Sequence, residues 1–283
     1  MFDDLLTTTP LSLTIVFLYG SLFGSFLNVV IYRMPLERSI VAPGSACGTC
    51  GTPLVWWQNI PVLSYLLLGG RCHTCGAGFS VRYAGIEALT GLAAALLLWH
   101  HGELGFPFFY HFVFFCLLVA VFFMDLDHWI ILDQVSLTGL VVGLLGSAFM
   151  PFREDLMVAG LAPPLLNVAS SLMGAVLGAG FFWSVQVIGT ILARQEALGT
   201  GDIKLAAMIG AFLGWKMGMI AYLLSFILGA VVALPMMLLH RRRGKDPVPL
   251  GTFMAVAAFL TALWGHRILD FLLVWPEHLD ALL

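Results

Sequence analysis

Two aspartates lie where apolar runs of the sequence meet polar connections. Asp125 comes at the end of one apolar run, and Asp202 comes at the beginning of another, directly after Gly199-Thr200-Gly201. An acid in the middle of a membrane span costs about 2.5–3.5 kcal/mol, so an acid at such a boundary indicates function. Two carboxyl groups about 3 Å apart cannot both ionise, and a half-protonated pair of this kind can hydrolyse a peptide bond. The sequence therefore predicts an intramembrane aspartyl protease. The simpler interpretation is that Asp202 only caps a helix and Asp125 only ends one.

The residues around Asp202 have predicted roles of their own. Gly199 and Gly201 would let the backbone turn tightly and approach a substrate strand. Thr200 is predicted to cap the next helix, and Lys204 to anchor it by extending its ammonium group towards water. Small residues then form a face that permits close helix packing, which would bring a second carboxylate within reach. These small residues are Ala206, Ala207, Gly210, Ala211 and Gly214.

Three polar residues follow Asp125 closely, namely Asp127, His128 and Asp133. Because residues two apart on a helix face different directions, Asp127 would point away from Asp125. Asp133 would return to the Asp125 side only if the helix continued past Trp129. For Asp127 and Asp133 we expect a solvated face or a contact with the leader of a substrate, and for His128 a hydrogen-bonding role at the membrane interface.

Four of the five cysteines form two Cys-x-x-Cys pairs, Cys47 with Cys50 and Cys72 with Cys75. Two such pairs in one polar loop can supply four thiolates to a tetrahedral zinc ion with no open position, which is a structural site. The alternative is a pair of redox dithiols. The zinc interpretation requires that the loop faces a reducing compartment.

The composition indicates a membrane protein. The chain has 283 residues, of which 60% are hydrophobic and 10% are charged, and its mean hydropathy is +0.97. Soluble domains carry about 25% charged residues, so this chain belongs in a lipid bilayer. No basic arm or basic–aromatic stripe indicates binding to nucleic acid.

Eight apolar runs predict an all-α polytopic membrane protein with about eight transmembrane helices. A polar loop, from about Arg33 to Arg82, separates the first two runs and would form a small zinc-stapled unit. The run from Ile203 to Trp215 is short for a span, and Gly214-Trp215-Lys216 only weakly separates it from the next run. The runs are Leu11–Tyr32, Ala84–Trp99, Phe106–Met124, Val135–Met150, Asn167–Ala193, Ile203–Trp215, Met217–Leu239 and Leu250–Trp275.

The basic residues predict the orientation of these spans. If the cysteine loop is cytosolic, ten lysines and arginines lie on the cytosolic side and three lie outside. This is a clear positive-inside distribution, and it places Asp125 and Asp202 at the same cytosolic boundary. The three outer residues are Arg153, Lys216 and Arg267.

Taken together, these motifs resemble the bifunctional type IV prepilin peptidases, which are leader peptidase/N-methyltransferases of bacterial inner membranes. The resemblance covers nearly the whole chain. The Gly-x-Gly-Asp element alone is shared with presenilin-like and archaeal preflagellin peptidases, whereas the cysteine loop and the Gly-Ser-Phe-Leu-Asn-Val run indicate the bacterial type. The matching segments are Gly24–Arg33, the two Cys-x-x-Cys pairs, Asp125–Asp127, Gly199–Leu205 and Pro249–Gly251.

The resemblance implies that Asp125 and Asp202 are the catalytic pair. It also implies cleavage of a basic leader from prepilins or type II secretion pseudopilins, followed by methylation of the new N-terminal residue with S-adenosylmethionine. Glu37 is a candidate contact for the substrate amine. One departure is Ile131-Leu132-Asp133, where the family often has Leu-Pro-Asp, so the local turn is expected to differ.

The predicted organisation is a first span (1–32), a four-cysteine zinc loop (33–84) and a multi-span protease core (85–283). Alternatives are a peptidase without methyltransferase activity and a zinc-stapled transporter or scaffold. A transporter would place its acids near the membrane midplane and at positions related by an internal repeat. A scaffold would explain the cysteines but not the two boundary acids. The oligomeric state is not predicted by the sequence.

Overall fold

The computed structural model describes residues 7–151, 162–194, 198–238 and 249–280. Within these ranges the protein is helical, and its extended structure is limited to isolated β-bridges. Short 3₁₀ helices lie at Met34–Leu36 and Trp56–Asn59. The α-helices are α1 (Pro10–Arg33), α2 (Leu63–Leu67), α3 (Val81–His101), α4 (Phe106–His128), α5 (Asp133–Ser147), α6 (Pro163–Ala193), α7 (Thr200–Leu238) and α8 (Leu250–Asp280).

The chain forms two compact units, Met1–Cys116 and Leu117–Leu283, and helix α4 contributes to both. The first unit contains α1, the cysteine loop and α3. The second contains the C-terminal half of α4 together with α5 to α8. The domain boundaries expected from the sequence, at 32/33 and 84/85, remain predictions.

Six helices in the described ranges are long and apolar enough to cross a membrane: α1, α3, α4, α6, α7 and α8. The prediction of an all-α polytopic protein is therefore confirmed. Helix α5 coincides with another of the eight apolar runs but has only 15 residues. At 1.5 Å per residue it is about 22 Å long, shorter than a hydrocarbon core of about 30 Å.

Helix α7 is broken at Gly214, where the backbone is not helical (φ 77°, ψ 175°). Beyond this break, the Tyr222 hydroxyl donates a 2.7 Å hydrogen bond to the carbonyl oxygen of Ala206, 16 residues earlier. In a straight helix these residues would be about 24 Å apart, so the chain must reverse at Gly214. The two apolar runs predicted on either side of Gly214 are thus two separate segments. The break between them, which the sequence indicates only weakly, is a reversal of the chain direction.

Glycines bring α1 against α3 in the first unit. A Cβ atom added to Gly20 would lie 2.7 Å from the Ala94 Cβ, and one added to Gly24 would lie 2.7 Å from the Glu87 Cα. Small residues four apart permit this approach, as in other membrane helix pairs. The packing fixes the last turns of α1 beside the first turns of α3, where the cysteine loop leaves and returns.

The small-residue face predicted after Asp202 lies against helix α6. A Cβ atom added to Gly210 would overlap the Gly174 carbonyl group, and one added to Gly174 would overlap the Gly210 carbonyl oxygen. The backbones are therefore in direct contact, and the predicted close packing is confirmed. This contact fixes the first half of α7, which begins with the residues around Asp202.

Candidate active site

Asp125 lies in the last turn of α4, with a side chain that is 6% exposed. The helix ends at His128. The next residue, Trp129, has a left-handed backbone (φ 59°), and its N–H donates to the Asp125 carbonyl oxygen at 2.9 Å. The Asp125 carboxylate reaches the first turn of α8. Its Oδ2 atom accepts hydrogen bonds from the Thr252 N–H at 2.8 Å and from the Thr252 hydroxyl at 3.1 Å. The N–H groups in the first turn of a helix have no acceptor within the helix and stabilise an anion, so the N-terminus of α8 binds the Asp125 carboxylate.

Gly251 permits the approach of Asp125 to α8. A Cβ atom at this position would lie 3.0 Å from the Asp125 Oδ2 and 2.8 Å from the Ile131 Cδ1. Ile131 also packs against Gly201, where an added Cβ would lie 2.9 Å from the Ile131 Cβ. The end of α4 and the beginnings of α7 and α8 therefore converge around Ile131.

Asp202 lies in the first turn of α7, one residue after Gly201, and is half-buried. Its N–H donates to the Gly199 carbonyl oxygen at 3.2 Å. The charge of Asp125 acts on the Asp202 carboxyl group. The structure thus brings the two aspartates singled out in the sequence into one site.

The predicted tight turn and helix cap before Asp202 need correction, whereas the predicted approach of Gly199 and Gly201 to a substrate strand stays a prediction. Neither Gly199 nor Gly201 has a left-handed backbone, so neither is required by a tight turn. Gly201 is required by its contact with Ile131, whereas a Cβ at Gly199 would lie 3.4 Å from the Asp202 Oδ2. Thr200 is already the first helical residue and does not precede the helix as a cap would.

Lys204 forms an ion pair with Asp133, at 2.6 Å from each carboxylate oxygen. Lys204 is therefore paired, and its role as a boundary anchor stays a prediction. The two side chains are 35% and 57% exposed, and an ion pair this accessible contributes about 0–1 kcal/mol. Its main consequence is positional, because it links the first residue of α5 to the first turn of α7.

The remaining predicted site residues lie at the surface. Asp127 is exposed in the last turn of α4, whereas Asp125 is buried, so the predicted difference between their faces is confirmed. Because α4 ends at His128, Asp133 does not continue the same helix and instead begins α5. Glu37 is exposed, in a left-handed conformation (φ 54°) just after a 3₁₀ turn.

The four paired cysteines converge in the first unit as expected for a metal site. Their sulfur atoms all lie within 4.8 Å of one another. Cys47 Sγ is 3.9 Å from Cys75 Sγ, and Cys50 Sγ is 4.0 Å from Cys72 Sγ. Zinc–sulfur bonds of about 2.3 Å in a tetrahedron require sulfur atoms about 3.8 Å apart. All four thiols are free, so the geometry fits zinc and not two disulfides.

The two cysteine turns have the same backbone design. The Gly51 N–H donates to the Cys47 carbonyl oxygen and the Gly76 N–H to the Cys72 carbonyl oxygen, both at 2.9 Å. Both glycines are left-handed, with φ of 70° and 73°. Glycine adopts this conformation without steric cost. The resulting turns bring the two thiols of each Cys-x-x-Cys pair close together.

Hydrogen bonds favour the thiolate form of two cysteines in this cluster. The Thr52 side chain and backbone lower the pKa of Cys50 to about 6. Backbone hydrogen bonds from Cys75 and Thr74 lower the pKa of Cys72. For Cys75, the backbone hydrogen bond from Ala77 lowers the pKa, but desolvation and the neighbouring thiols raise it to about 11. A metal ion must displace the thiol proton of Cys75, so metal binding should weaken as the pH falls.

A cavity of about 340 Å³ lies in the first unit, between the last turns of α1, the cysteine loop, α2 and the first turns of α3. Its walls include the aromatic side chains Tyr32, Tyr65 and Tyr83 and the polar side chains Asn28 and Glu87. This volume and this mixture of aromatic and convergent polar groups are typical of a small-molecule site. Glu37 is not among the described residues that line it.

Glu87 fixes a strained turn beside this cavity. Its Oε2 atom accepts a 2.8 Å hydrogen bond from the Val62 N–H. Val62 has φ 62° and ψ −52°, and the Leu63 N–H donates to the Pro61 carbonyl oxygen at 2.6 Å, which defines a γ-turn. A β-branched residue in this conformation costs about 1–3 kcal/mol and is often found at functional sites.

Comparison with known proteins agrees with both parts of this arrangement. The family model described as Bacterial Peptidase A24 N-terminal domain matches residues 18–101, and that described as Type IV leader peptidase family matches residues 112–234. The prepilin leader peptidase/N-methyltransferase of Pseudomonas aeruginosa is 33% identical, over 94% of this chain and 95% of the relative. The chain belongs to the type IV leader peptidase family.

Other relatives carry the same name. The prepilin leader peptidase/N-methyltransferase of Myxococcus xanthus is 40% identical, over 83% of this chain and 66% of its own length. That of Aeromonas salmonicida is 33% identical, over 90% of this chain and 91% of its own length. No solved structure matches the chain. The resemblance inferred from the motifs is confirmed.

Sequence reasoning overlooked three residues of this type IV leader peptidase. Thr252 bonds the Asp125 carboxylate, and its only sequence signal was its place after Pro-Leu-Gly at the start of an apolar run. Ile131 was noted only as part of a departure from the family pattern. Glu87 is an acid within the apolar helix α3, and by the argument that singled out Asp125 it too was a candidate functional residue.

Proposed function

We propose that this chain cleaves the leader peptide of prepilins or pseudopilins and N-methylates the new N-terminal residue. The observation that carries the proposal is the pairing of Asp125 with Asp202 where three helix ends converge, in a chain of the type IV leader peptidase family. The carboxylate of one aspartate would activate a water molecule, and the carboxyl group of the other would polarise the scissile carbonyl. Gly199, Thr200, Gly201 and Lys204 would form the surrounding loop.

The exposed acids suit recognition of a basic leader. Asp127 lies on the surface of the same helix turn as Asp125, and Asp133 is partly exposed beside its partner Lys204. A positively charged leader would be attracted to such a surface, although exposed charges contribute modestly and are screened by salt. Glu37, at an exposed turn of the first unit, would also attract a basic leader only through its exposed charge.

Zinc held by the four cysteine thiolates would have a structural role. Four thiolates complete the coordination shell, so no position is open for a water molecule or a substrate. The loop that they staple forms part of the wall of the cavity in the first unit, so loss of zinc would disturb the cavity and leave the aspartates in place.

The cavity in the first unit is the best candidate for the methyl transfer site. S-adenosylmethionine supplies an electrophilic methyl group on a sulfonium cation, and the acceptor is the free amine of the cleaved pilin. Aromatic faces attract cations, and a carboxylate compensates positive charge. Tyr65 and Tyr83 would contact the methyl donor, and Glu87 would face a cationic group while it holds the Val62 turn.

The chain is a multi-pass membrane protein, and we infer a bacterial inner membrane with the cysteine loop and both aspartates on the cytosolic side. The distribution of basic residues supports this orientation, and a reducing cytosol would keep the four thiols free for zinc. The partners would be the apolar helices of pilin precursors and the lipid bilayer.

One assay tests both activities. The purified full-length protein is incubated with a synthetic prepilin, with and without S-adenosylmethionine, and the products are analysed by mass spectrometry. We expect leader removal in both samples and one added methyl group only with the methyl donor. Cleavage without methylation would support a peptidase with a single activity, and absence of cleavage would favour the transporter or scaffold alternatives.

The methyl transfer site has a separate test. Binding of S-adenosylmethionine is measured by calorimetry for the wild type, for Tyr65→Ala and for Glu103→Gln, a control outside the cavity. We expect Tyr65→Ala to weaken binding and methylation while cleavage continues. Equal binding by all three proteins would place the methyl donor elsewhere.

A further inference from the structure

The two aspartates differ in the hydrogen bonds that they receive. The Asp125 carboxylate accepts the Thr252 N–H at 2.8 Å and the Thr252 hydroxyl at 3.1 Å, and the Gly251 N–H also donates to it. The Asp202 carboxyl group receives the Gly199 N–H. Hydrogen bonds from N–H and O–H donors stabilise a carboxylate more than a neutral carboxylic acid. The pair is therefore asymmetric even without a bound substrate.

The position of Thr252 increases this asymmetry. Its N–H lies in the first turn of α8 and has no acceptor within the helix, so it is available to the Asp125 Oδ2. The partial positive charge of the helix N-terminus acts on the same Asp125 oxygen. The Thr252 hydroxyl group donates a second hydrogen bond to this oxygen, at 3.1 Å. Gly251, where a Cβ would lie 3.0 Å from the Asp125 Oδ2, keeps the space for this contact.

Other charged groups near the pair do not remove the asymmetry. On α7 and α5, Lys204 and Asp133 neutralise each other in an ion pair. On α4, Asp127 and His128 are exposed to solvent in the last turn. On α6, Arg194 lies at the C-terminal end of the helix. In the part of the chain that the structure describes, the hydrogen bonds to the Asp125 carboxylate come from neutral groups of α8, namely those of Gly251 and Thr252.

We propose that Thr252 is a positioning residue that keeps the negative charge of the catalytic pair on Asp125. Asp125 is then the general base, and Asp202 carries the shared proton. The inference rests on the proposed peptidase function. It assigns a distinct role to each aspartate and makes the first turn of α8 part of the catalytic arrangement.

The chemistry balances with these roles. The water oxygen bonds to the scissile carbonyl carbon as one water proton moves to Asp125 and the Asp202 proton moves to the carbonyl oxygen. The product is a neutral tetrahedral diol. The carbon–nitrogen bond then breaks as Asp125 gives its proton to the leaving nitrogen and one diol hydroxyl returns a proton to Asp202. The pair regains its starting state, with Asp125 ionised.

The test compares Thr252→Val, which has nearly the same shape but no hydroxyl donor, with Thr252→Ser, which keeps the donor. Cleavage of a synthetic prepilin by the full-length protein is measured across a range of pH. We expect Thr252→Val to lower kcat about 10- to 100-fold with KM nearly unchanged, because a hydrogen bond to a charged group is lost. The acid limb of its pH–rate profile should move to higher pH, since a carboxylate with fewer donors holds its proton more strongly. Thr252→Ser should restore most of the rate and the profile.

A spectroscopic measurement covers the case in which Thr252→Val does not fold. Infrared difference spectra against the wild type should show loss of a protonated carboxyl band for Asp202→Asn, because Asp125, with its Thr252 donors, stays ionised in that variant. Retention of the band in Asp202→Asn would overturn the assignment. A wild-type pH profile for Thr252→Val would overturn it too, as would an equal loss of rate in Thr252→Ser.

These outcomes are distinct from failure of the proposed function. If Asp125→Asn and Asp202→Asn both cleave prepilin at the wild-type rate, the pair is not catalytic and the peptidase proposal itself is wrong. If both variants are inactive while Thr252→Val behaves as the wild type, only the role of Thr252 is refuted.

Discussion

The two glycines of the Gly-x-Gly-Asp motif should differ in their tolerance of a side chain, although the sequence makes them look equivalent. At Gly201 an added Cβ would lie 2.9 Å from the Ile131 Cβ and 3.3 Å from the Ile131 carbonyl oxygen. At Gly199 the nearest described atom would be the Asp202 Oδ2, at 3.4 Å. An added Cβ is therefore blocked at Gly201, by the side chain and the backbone of Ile131, and is not blocked in this way at Gly199.

The geometry gives the size of the effect. Carbon atoms in contact are normally about 3.5–4.0 Å apart, so Gly201→Ala forces a movement of roughly 0.6–1.1 Å. Overpacking of this kind typically costs about 1–3 kcal/mol, and the better helix propensity of alanine returns at most about 1 kcal/mol. The larger effect is functional, because Asp202 is the next residue. A displacement of about 1 Å in a catalytic group can lower the rate about 100-fold.

The assay measures kcat and KM for cleavage of a synthetic prepilin by Gly201→Ala and Gly199→Ala, with Gly180→Ala as control. Gly180 is a helical glycine whose added Cβ would meet no described atom within 4 Å. We expect kcat to fall about 100-fold for Gly201→Ala. For Gly199→Ala, kcat should stay close to the wild type, and any loss should fall on KM, since the position lies on the exposed side of the site. An equal loss of kcat at both glycines would refute the argument from Ile131.

Other predictions concern the catalytic pair, the metal and the orientation. Asp125→Asn and Asp202→Asn should each lower cleavage by about 10²–10⁴-fold in the prepilin assay, and the double variant should be little worse, because the two residues act as one unit. Elemental analysis should find one zinc ion in the wild type and none in Cys72→Ser, and the melting temperature of the variant should be lower, since structural zinc supplies about 10–16 kcal/mol in small peptides; active wild type without zinc would contradict this. In intact cells, a membrane-impermeant thiol reagent should label His266→Cys and not Arg38→Cys, and the opposite pattern would reverse the orientation.

The sequence predicts the helices and the cysteine site well because both depend on local chemistry. Apolar length alone identifies a segment that can cross a bilayer, and in the part of the chain that the structure describes each of the eight predicted runs coincides largely with a helix. A thiolate pair at Cys-x-x-Cys spacing can hold one ion wherever it occurs, so two pairs in one loop indicate a shared site from their spacing alone.

The reversal within α7 could not be predicted with the same certainty. It depends on one backbone conformation at Gly214, which the sequence shows only as glycine followed by Trp215 and Lys216. The consequence is large, because Tyr222 returns to bond the Ala206 carbonyl oxygen. Hydropathy gives the number and length of apolar segments, whereas the direction of the chain at a turn depends on tertiary contacts.

The ion pair of Lys204 shows that local sequence does not identify the partner of a charged residue either. A lysine near a membrane boundary normally extends towards water, and this was the expected behaviour. The structure shows that it also pairs with Asp133, which begins α5 and lies 71 residues away in sequence. Ion pairs between distant segments depend on the fold, and nothing in the local pattern identifies the partner.

The glycines around the aspartates show that a motif can be recognised from sequence while part of its physical explanation is missed. Freedom of backbone rotation was the expected role of Gly199 and Gly201, yet neither has a left-handed backbone. Gly201 is needed because Ile131 occupies the space of a side chain, and Gly251 is needed because Ile131 and the Asp125 carboxylate occupy it together. Ile131 thus excludes side chains at two helix starts, and this exclusion lets both helices approach the end of α4. The geometry of the proposed catalytic pair therefore depends on which atoms fill the space beside each glycine. Tolerance of alanine at each glycine should follow these contacts and not the motif.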